Sequence, residues 1–273
     1  SPLLQSPKNL CRPAFTPRAP ISHPHWPRLS ESVRAWLLHE SRLATIIAST
    51  SFAVPKPLAL SFIDPAQSFT MLPMALAAGT NKTYRTAAIG KWHLADPDNG
   101  WLDHPRNAGI DFYSVIMHGE DSYFAWRKNL NGEIVGTTIH SAVDQTETAV
   151  VWIAEQGDEP WFMWLSFILP HTPLHLPPTE LLQSDYSDLS PTQDTAENPI
   201  RYFHAMIEAM DTEIGRVLDS MTPAVRANTY VIFIGDNGTT NNSVIAPFER
   251  GRAKATVYQG GVNVPLIVSG PGV

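Results

Sequence analysis

The chain has 273 residues, 43% of them hydrophobic and 16% charged, long and apolar enough for one substantial α/β core and too apolar for a disordered chain. A formal net charge of −7 with no basic stripe excludes a polyanion binder, so no nucleic-acid partner is expected. A single cysteine, Cys11, excludes an internal disulfide and a cysteine-based zinc site, and the longest strongly apolar run, Trp161 to Leu169, is far short of a membrane span.

Residues 1 to about 60 read as an irregular or aberrant lead-in, dense in Pro and Ser from Pro2 to Pro27. Within it Val33, Trp36, Leu37, Leu43 and Ile47 have the spacing of one helix face. From residue 61 to 273 the pattern alternates between helix and strand. Leu72 to Ala78 predicts a short helix stopped by Gly79, and Thr86 to Gly90 a short buried strand. Ala142 to Gln156 predicts a helix, with Val143, Val150 and Ile153 on one face and Gly157 at its end. Trp161 to Ile168, unbroken and apolar before Pro170, suits a strand buried on both sides. Ile200 to Met221 has apolar residues at helical spacing before Pro223. Tyr230 to Ile234 and Val262 to Val268 predict two further strands. Such alternation implies an α/β fold, a mainly parallel sheet sandwiched by helices. The sequence opens at Ser1 without an initiator Met and stops just beyond a predicted strand, so this domain is expected to be incomplete at both ends.

Sites in open α/β sheets form at the carboxyl ends of strands. In Ile89-Gly90-Lys91-Trp92-His93, a Lys and a His share a side if the chain stays extended, giving a charge and a switchable donor. They equally suit a surface Lys and a packing His. In Leu169-Pro170-His171-Thr172-Pro173 two prolines brace a His, and His175 lies close by. Gly235-Asp236-Asn237-Gly238 offers two hard oxygen donors for Ca²⁺ or Mg²⁺, or an ordinary turn. Lys254 leads a segment closed by Gly260 and Gly261, where it could bind an anion or lie exposed on a hairpin. Together these groups suit a tetrahedral anionic ester held against a metal ion.

The stretch Tyr84-Arg85-Thr86-Ala87-Ala88-Ile89-Gly90-Lys91-Trp92-His93-Leu94 resembles the second signature of the sulfatase family, formylglycine-dependent sulfuric ester hydrolases of the alkaline phosphatase superfamily. Gly109-Ile110-Asp111-Phe112, the Pro170-His171-Thr172-Pro173 turn, the helix around Ala205 to Asp211, Ile234 to Gly238 and Arg252 to Pro265 resemble the family's later segments, in order. The likeness covers about residues 65 to 273. It implies an alkaline-phosphatase-like fold and cleavage of aryl or carbohydrate sulfates. Asp236 and Asn237 would then be Ca²⁺ or Mg²⁺ ligands. Lys91, His171 and Lys254 would hold the sulfate and help the leaving oxygen depart. His93 would hydrogen-bond the nucleophile, a formylglycine hydrate that a formylglycine-generating enzyme makes from Cys or Ser.

The chain departs from the family at several points. Cys11-Arg12-Pro13-Ala14-Phe15 matches the nucleophile motif except at Phe15, where a basic residue is usual, and nothing matches the upstream pair of metal-binding aspartates. Ala255 stands where Gly is usual and Gln259 where Glu is usual. Impaired activity in this chain is therefore expected. The alternatives are a phosphodiester or phosphonate ester hydrolase of the same superfamily, or a non-catalytic relic. Relatives are periplasmic, secreted or lysosomal, and the sequence carries no signal peptide that would fix a compartment.

Overall fold

The computed structural model describes residues 43–48, 72–79, 84–119, 122–191 and 195–273. The chain divides into Ser1–Ala35 and Trp36–Val273, and all described residues belong to the second unit. In chain order the strands are β1 (Leu43–Ala48), β2 (Arg85–Lys91), β3 (Phe112–Ile116), β4 (Trp126–Leu130), β5 (Glu133–Thr137), β6 (Trp161–Phe167), β7 (Tyr230–Gly235) and β8 (Leu266–Ser269). The helices are α1 (Leu72–Gly79), α2 (His104–Asn107), α3 (Ser141–Gln156), α4 (Pro199–Ser220), α5 (Pro223–Ala227) and α6 (Gln259–Val262).

Among the described residues the strands form one eight-stranded sheet, in the order β5-β4-β3-β2-β6-β1-β7-β8. The five inner strands β3, β2, β6, β1 and β7 are parallel, whereas β4, β5 and β8 join antiparallel. The sheet is thus mainly parallel, as expected, with antiparallel margins.

Alternate residues of the inner strands point to opposite faces, and both faces are covered. Ala87 and Ile89 of β2 and Ile116 of β3 join the larger core cluster with Trp161, Leu165 and Phe167 of β6. Ala88, Tyr113 and Val115 join a second cluster with Trp92, Ile110 and Met117. On the first side α3 packs against α4 and reaches β2 and β6. Burial on both faces explains why β6 is an unbroken apolar run rather than an alternating one.

Three expectations change. The Leu43–Ile47 segment is strand rather than helix, and β1 sits in mid-sheet between β6 and β7. Its β-branched Thr45, Ile46 and Ile47 suit a pleated interior better than a helix face. The sheet therefore draws on residues before 61. In α3 the buried face runs through Ala142, Gln145, Thr146, Ala149, Trp152 and Ile153, rather than through Val150. The last strand begins at Leu266, because Val262 ends the short helix α6.

Candidate active site

Because β3, β2, β6 and β7 run parallel, their carboxyl ends line one edge of the sheet, and each is followed by a polar residue. Lys91 ends β2, His118 follows β3, His171 follows β6, and Asp236 and Asn237 follow β7. Gly90 makes the exit from β2 possible. Its φ is +97°, and a Cβ there would lie 2.0 Å from Ser166 O on the neighbouring strand.

Lys254 arrives by a different route. Its N–H donates to Thr239 O at 3.0 Å, and Gly238 N–H donates to Gly261 O at 2.9 Å. These two bonds stitch the Lys254 segment to the Asp236-Asn237 loop. The glycines permit the approach: a Cβ on Gly238 would fall 1.8 Å from Gly260 O, and one on Gly261 would fall 2.2 Å from Thr256 O.

The electrostatics tie these groups into one cluster. Burial, then the neighbouring Lys254, lowers the Lys91 ammonium to about 8, with Asp236 opposing. Burial lowers Lys254 as well, again opposed by Asp236. His93, exposed as a residue but with its ring partly enclosed, is lowered to about 4 by that partial burial, then by Lys91 and His118. His171 is pushed down to about 4 by burial; its bond to Thr172 opposes this, and Lys254, Lys91 and His93 add to it. Two cations, two imidazoles and one carboxylate therefore lie close enough at this edge to act on one another, a set that suits an anion. Lys91 is nearly buried, at 7% exposure, while His93 lies exposed. The chain does not stay extended between them, since φ of His93 is +49°. That corrects the expectation that the two share a side by strand alternation.

The His171 turn is held from behind. Tyr123 donates its hydroxyl to His171 O at 2.7 Å and approaches Ile168 O at 3.3 Å. His171 Nδ1 lies 2.5 Å from Thr172 O, and a carbonyl only accepts, so Nδ1 carries the proton and the neutral ring keeps Nε2 as an acceptor. Behind Tyr123, His175 and His140 meet Nε2 to Nε2 at 3.0 Å. His175 Nδ1 donates to Pro173 O at 3.2 Å, so its Nε2 accepts from His140 Nε2, and His140 Nδ1 is left buried without a partner. Burial holds both rings neutral, lowering His140 to about 3 and His175 to about 4.

Asp236 and Asn237 offer a carboxylate and an amide oxygen, the hard donors that Ca²⁺ and Mg²⁺ take. Asn237 Nδ2 donates to Gly238 O at 2.9 Å, and Oδ1, the atom a metal would use, is buried. The donor chemistry fits. Among the described residues no cluster of three or more His, Cys, Asp or Glu side chains could hold a metal, so these two would supply part of a shell of roughly six to eight oxygens. Cys11 lies outside the described residues. Ala255 adopts φ +67°, a left-handed conformation that favours the Gly usual at that position. Sequence reasoning missed His118, Tyr123 and His140. His118 carried the same signal as the others, a polar residue just beyond a buried strand. The partners of Tyr123 and His140 lie tens of residues away and leave no local pattern.

The mainly parallel sheet flanked by helices, with cationic groups at its carboxyl edge, is an α/β fold of the alkaline-phosphatase type. Solved structures agree: the crystal structure of Ps i-CgsB in complex with k-i-k-neocarrahexaose matches with a TM-score of 0.64 at 16% identity, covering 85% of this chain and 66% of that one. The sulfatase family model matches residues 50–273, and the chain belongs to the sulfatase family. An uncharacterised sulfatase of Escherichia coli is 26% identical, over 69% of this chain and 45% of its own length. The choline-sulfatase of Rhizobium meliloti is 24% identical, over 70% of this chain and 46% of its own length. The chain thus spans less than half the length of these curated relatives.

Proposed function

We propose that the protein hydrolyses sulfate esters, of an aryl or carbohydrate alcohol, in the pocket at the carboxyl edge of the sheet. The observation that carries this reading is the placement of Lys91, His171 and Asp236 at the carboxyl ends of parallel strands of one sheet, with the Lys254 segment stitched to the Asp236-Asn237 loop by two backbone bonds. Family membership supports sulfate as the group cleaved.

The chain's own residues divide the work. Lys91 and Lys254 place two ammonium groups against the sulfate oxygens, where charge grows as the S–O bond to the leaving group breaks. Because both are half-buried or more, water screens them poorly. His171, rigid within its turn and anchored through its carbonyl by Tyr123, sits beside the leaving oxygen. His93, at the pocket mouth, orients the nucleophile. Asp236 and Asn237 would hold Ca²⁺ or Mg²⁺, which when bound supplies a Lewis acid for the sulfate oxygens. Cys11 is the candidate precursor of formylglycine, with Phe15 as the departure that would slow its conversion by a generating enzyme.

Matched sulfate and phosphate esters of one alcohol test the reading. Sulfate turnover is expected to exceed phosphate turnover, and Lys91→Met and Lys254→Met are each expected to lower it by about 10²–10³, the scale for removing one charge-stabilising donor. Faster phosphate cleavage, or indifference to both lysine changes, overturns it. Mass spectrometry of the Cys11 peptide decides the nucleophile separately.

A further inference from the structure

Beside His93 lie two rings that the hydrolytic chemistry does not use, Trp101 and His118. Trp101 and His118 stand 5.0 Å apart between ring centroids, tilted by 41°, and His118 stands 5.7 Å from His93, edge to face. His93 and His118 are exposed, and Trp101 is part-buried, its inner side packed on the cluster around Trp92 and Ile110. His93 in turn interacts with Lys91. The rings therefore run from His93, two residues beyond Lys91, through His118 to Trp101.

The segment that presents Trp101 is built to hold still. Asp96 accepts from Asp98 N and Asn99 N, Asn99 Nδ2 donates to Leu94 O at 3.0 Å, and Trp101 N donates to Asp96 O at 3.0 Å. Trp101 itself adopts φ +43°, a conformation uncommon outside glycine. Such strain persists where the surrounding structure over-determines it, as at ligand sites.

We propose that Trp101 and His118 form a sugar subsite, in which the substrate's pyranose ring lies against the indole while its sulfate enters the Lys91–Lys254 pocket. This inference rests on the sulfate-ester reading above and names the alcohol as a carbohydrate. A pyranose has an apolar C–H face and a rim of hydroxyls. The indole matches the first, and the ring nitrogens of the exposed His118 match the second. An aryl group offers no hydroxyls and would call for an apolar enclosure, whereas this platform is open and flanked by polar rings.

Calorimetric titration of the protein tests the subsite without needing turnover. The probes are inorganic sulfate and a set of carrageenan, chondroitin and heparin disaccharides, each with and without its sulfate. The best sulfated disaccharide is expected to bind about tenfold or more tightly than inorganic sulfate. Trp101→Ala and His118→Ala are each expected to weaken that disaccharide about five- to tenfold, with inorganic sulfate changed less than about twofold. Trp101→Phe keeps a ring on the same packed base and is expected to retain most of the affinity, and His118, being exposed, can be replaced without disturbing the core. A disaccharide that binds no tighter than sulfate overturns the subsite. So does parallel weakening of both ligands, or no weakening of either. Binding of desulfated sugar by a protein that ignores sulfate would instead leave the subsite standing and remove the sulfate-ester reading.

Discussion

Replacing Tyr123 with Phe removes one oxygen atom and isolates one function of the structure. Tyr123 is 4% exposed, and its hydroxyl donates to His171 O at 2.7 Å, with Ile168 O at 3.3 Å. The ring would stay, packed against His175 with centroids 4.2 Å apart and a tilt of 33°, so packing is conserved and only the polar contact is lost. Leaving a buried carbonyl without its donor costs about 1–3 kcal/mol. For a folded unit of this size that corresponds to a fall in Tm of about 2–4 °C per kcal/mol. The effect on turnover is expected to be larger, because the lost bond fixes the backbone of His171, the residue proposed to face the leaving oxygen. Displacement by about 1 Å at such a group costs roughly a hundredfold in rate. Thermal unfolding and ester hydrolysis, measured side by side on wild type and Tyr123→Phe, separate the two. A variant that loses stability but keeps kcat would show that Tyr123 braces the fold and does nothing for the position of His171.

Other consequences follow from the same geometry. Gly238→Ala is expected to abolish ester hydrolysis, since its Cβ would lie 1.8 Å from Gly260 O and force the two stitched segments apart; an active variant with both backbone bonds intact would contradict this. Ala255→Gly is expected to stabilise the chain by up to about 1 kcal/mol by relieving the left-handed backbone, measured as a rise in urea midpoint. The His140–His175 pair makes stability depend on pH. Burial depresses both rings below their unfolded value, to about 3 and about 4, so the unfolded chain binds more protons and stability falls as pH drops from about 6.5 toward 4. At pH 5 the loss is on the order of 2 kcal/mol per ring, and a His140→Gln, His175→Gln double variant should show a flatter urea midpoint between pH 7 and pH 5; an unchanged slope would sink the assignment. Millimolar Ca²⁺ is expected to raise Tm through mass action and EDTA to reverse the rise, with Asp236→Ala insensitive to both.

Much of the scaffold was readable because its elements carry strong local signals. Strand β6 announced itself by an unbroken apolar run, and α4 by apolar residues at helical spacing before Pro223. The candidate residues Lys91, His171, Asp236 and Asn237 stand out in the sequence because each lies at or beyond the end of a strand. What stayed hidden depends on pairing across long stretches of chain. Strand β1 was mistaken for helix because Leu43 and Ile47 fit a helical spacing, while its partners, β6 and β7, lie far along the sequence. The hairpin of β4 and β5 did have a local cue, Asn131-Gly132, and both residues take positive φ in the turn. Its strands alternate weakly, so the cue stood alone. The electrostatic neighbourhood of Lys254 and Asp236 was beyond sequence, because backbone bonds from Gly238 and Lys254, not side-chain pattern, create it.

Those two backbone bonds also determine how this corner of the molecule can come undone. The Gly238 and Lys254 amides are closed by each other's loops, so neither can open to water without releasing its partner. Their exchange with deuterium should therefore occur in step, as one small unfolding unit. The carboxylate that would grip a cation and the ammonium that would grip an anion would then be lost, or kept, together.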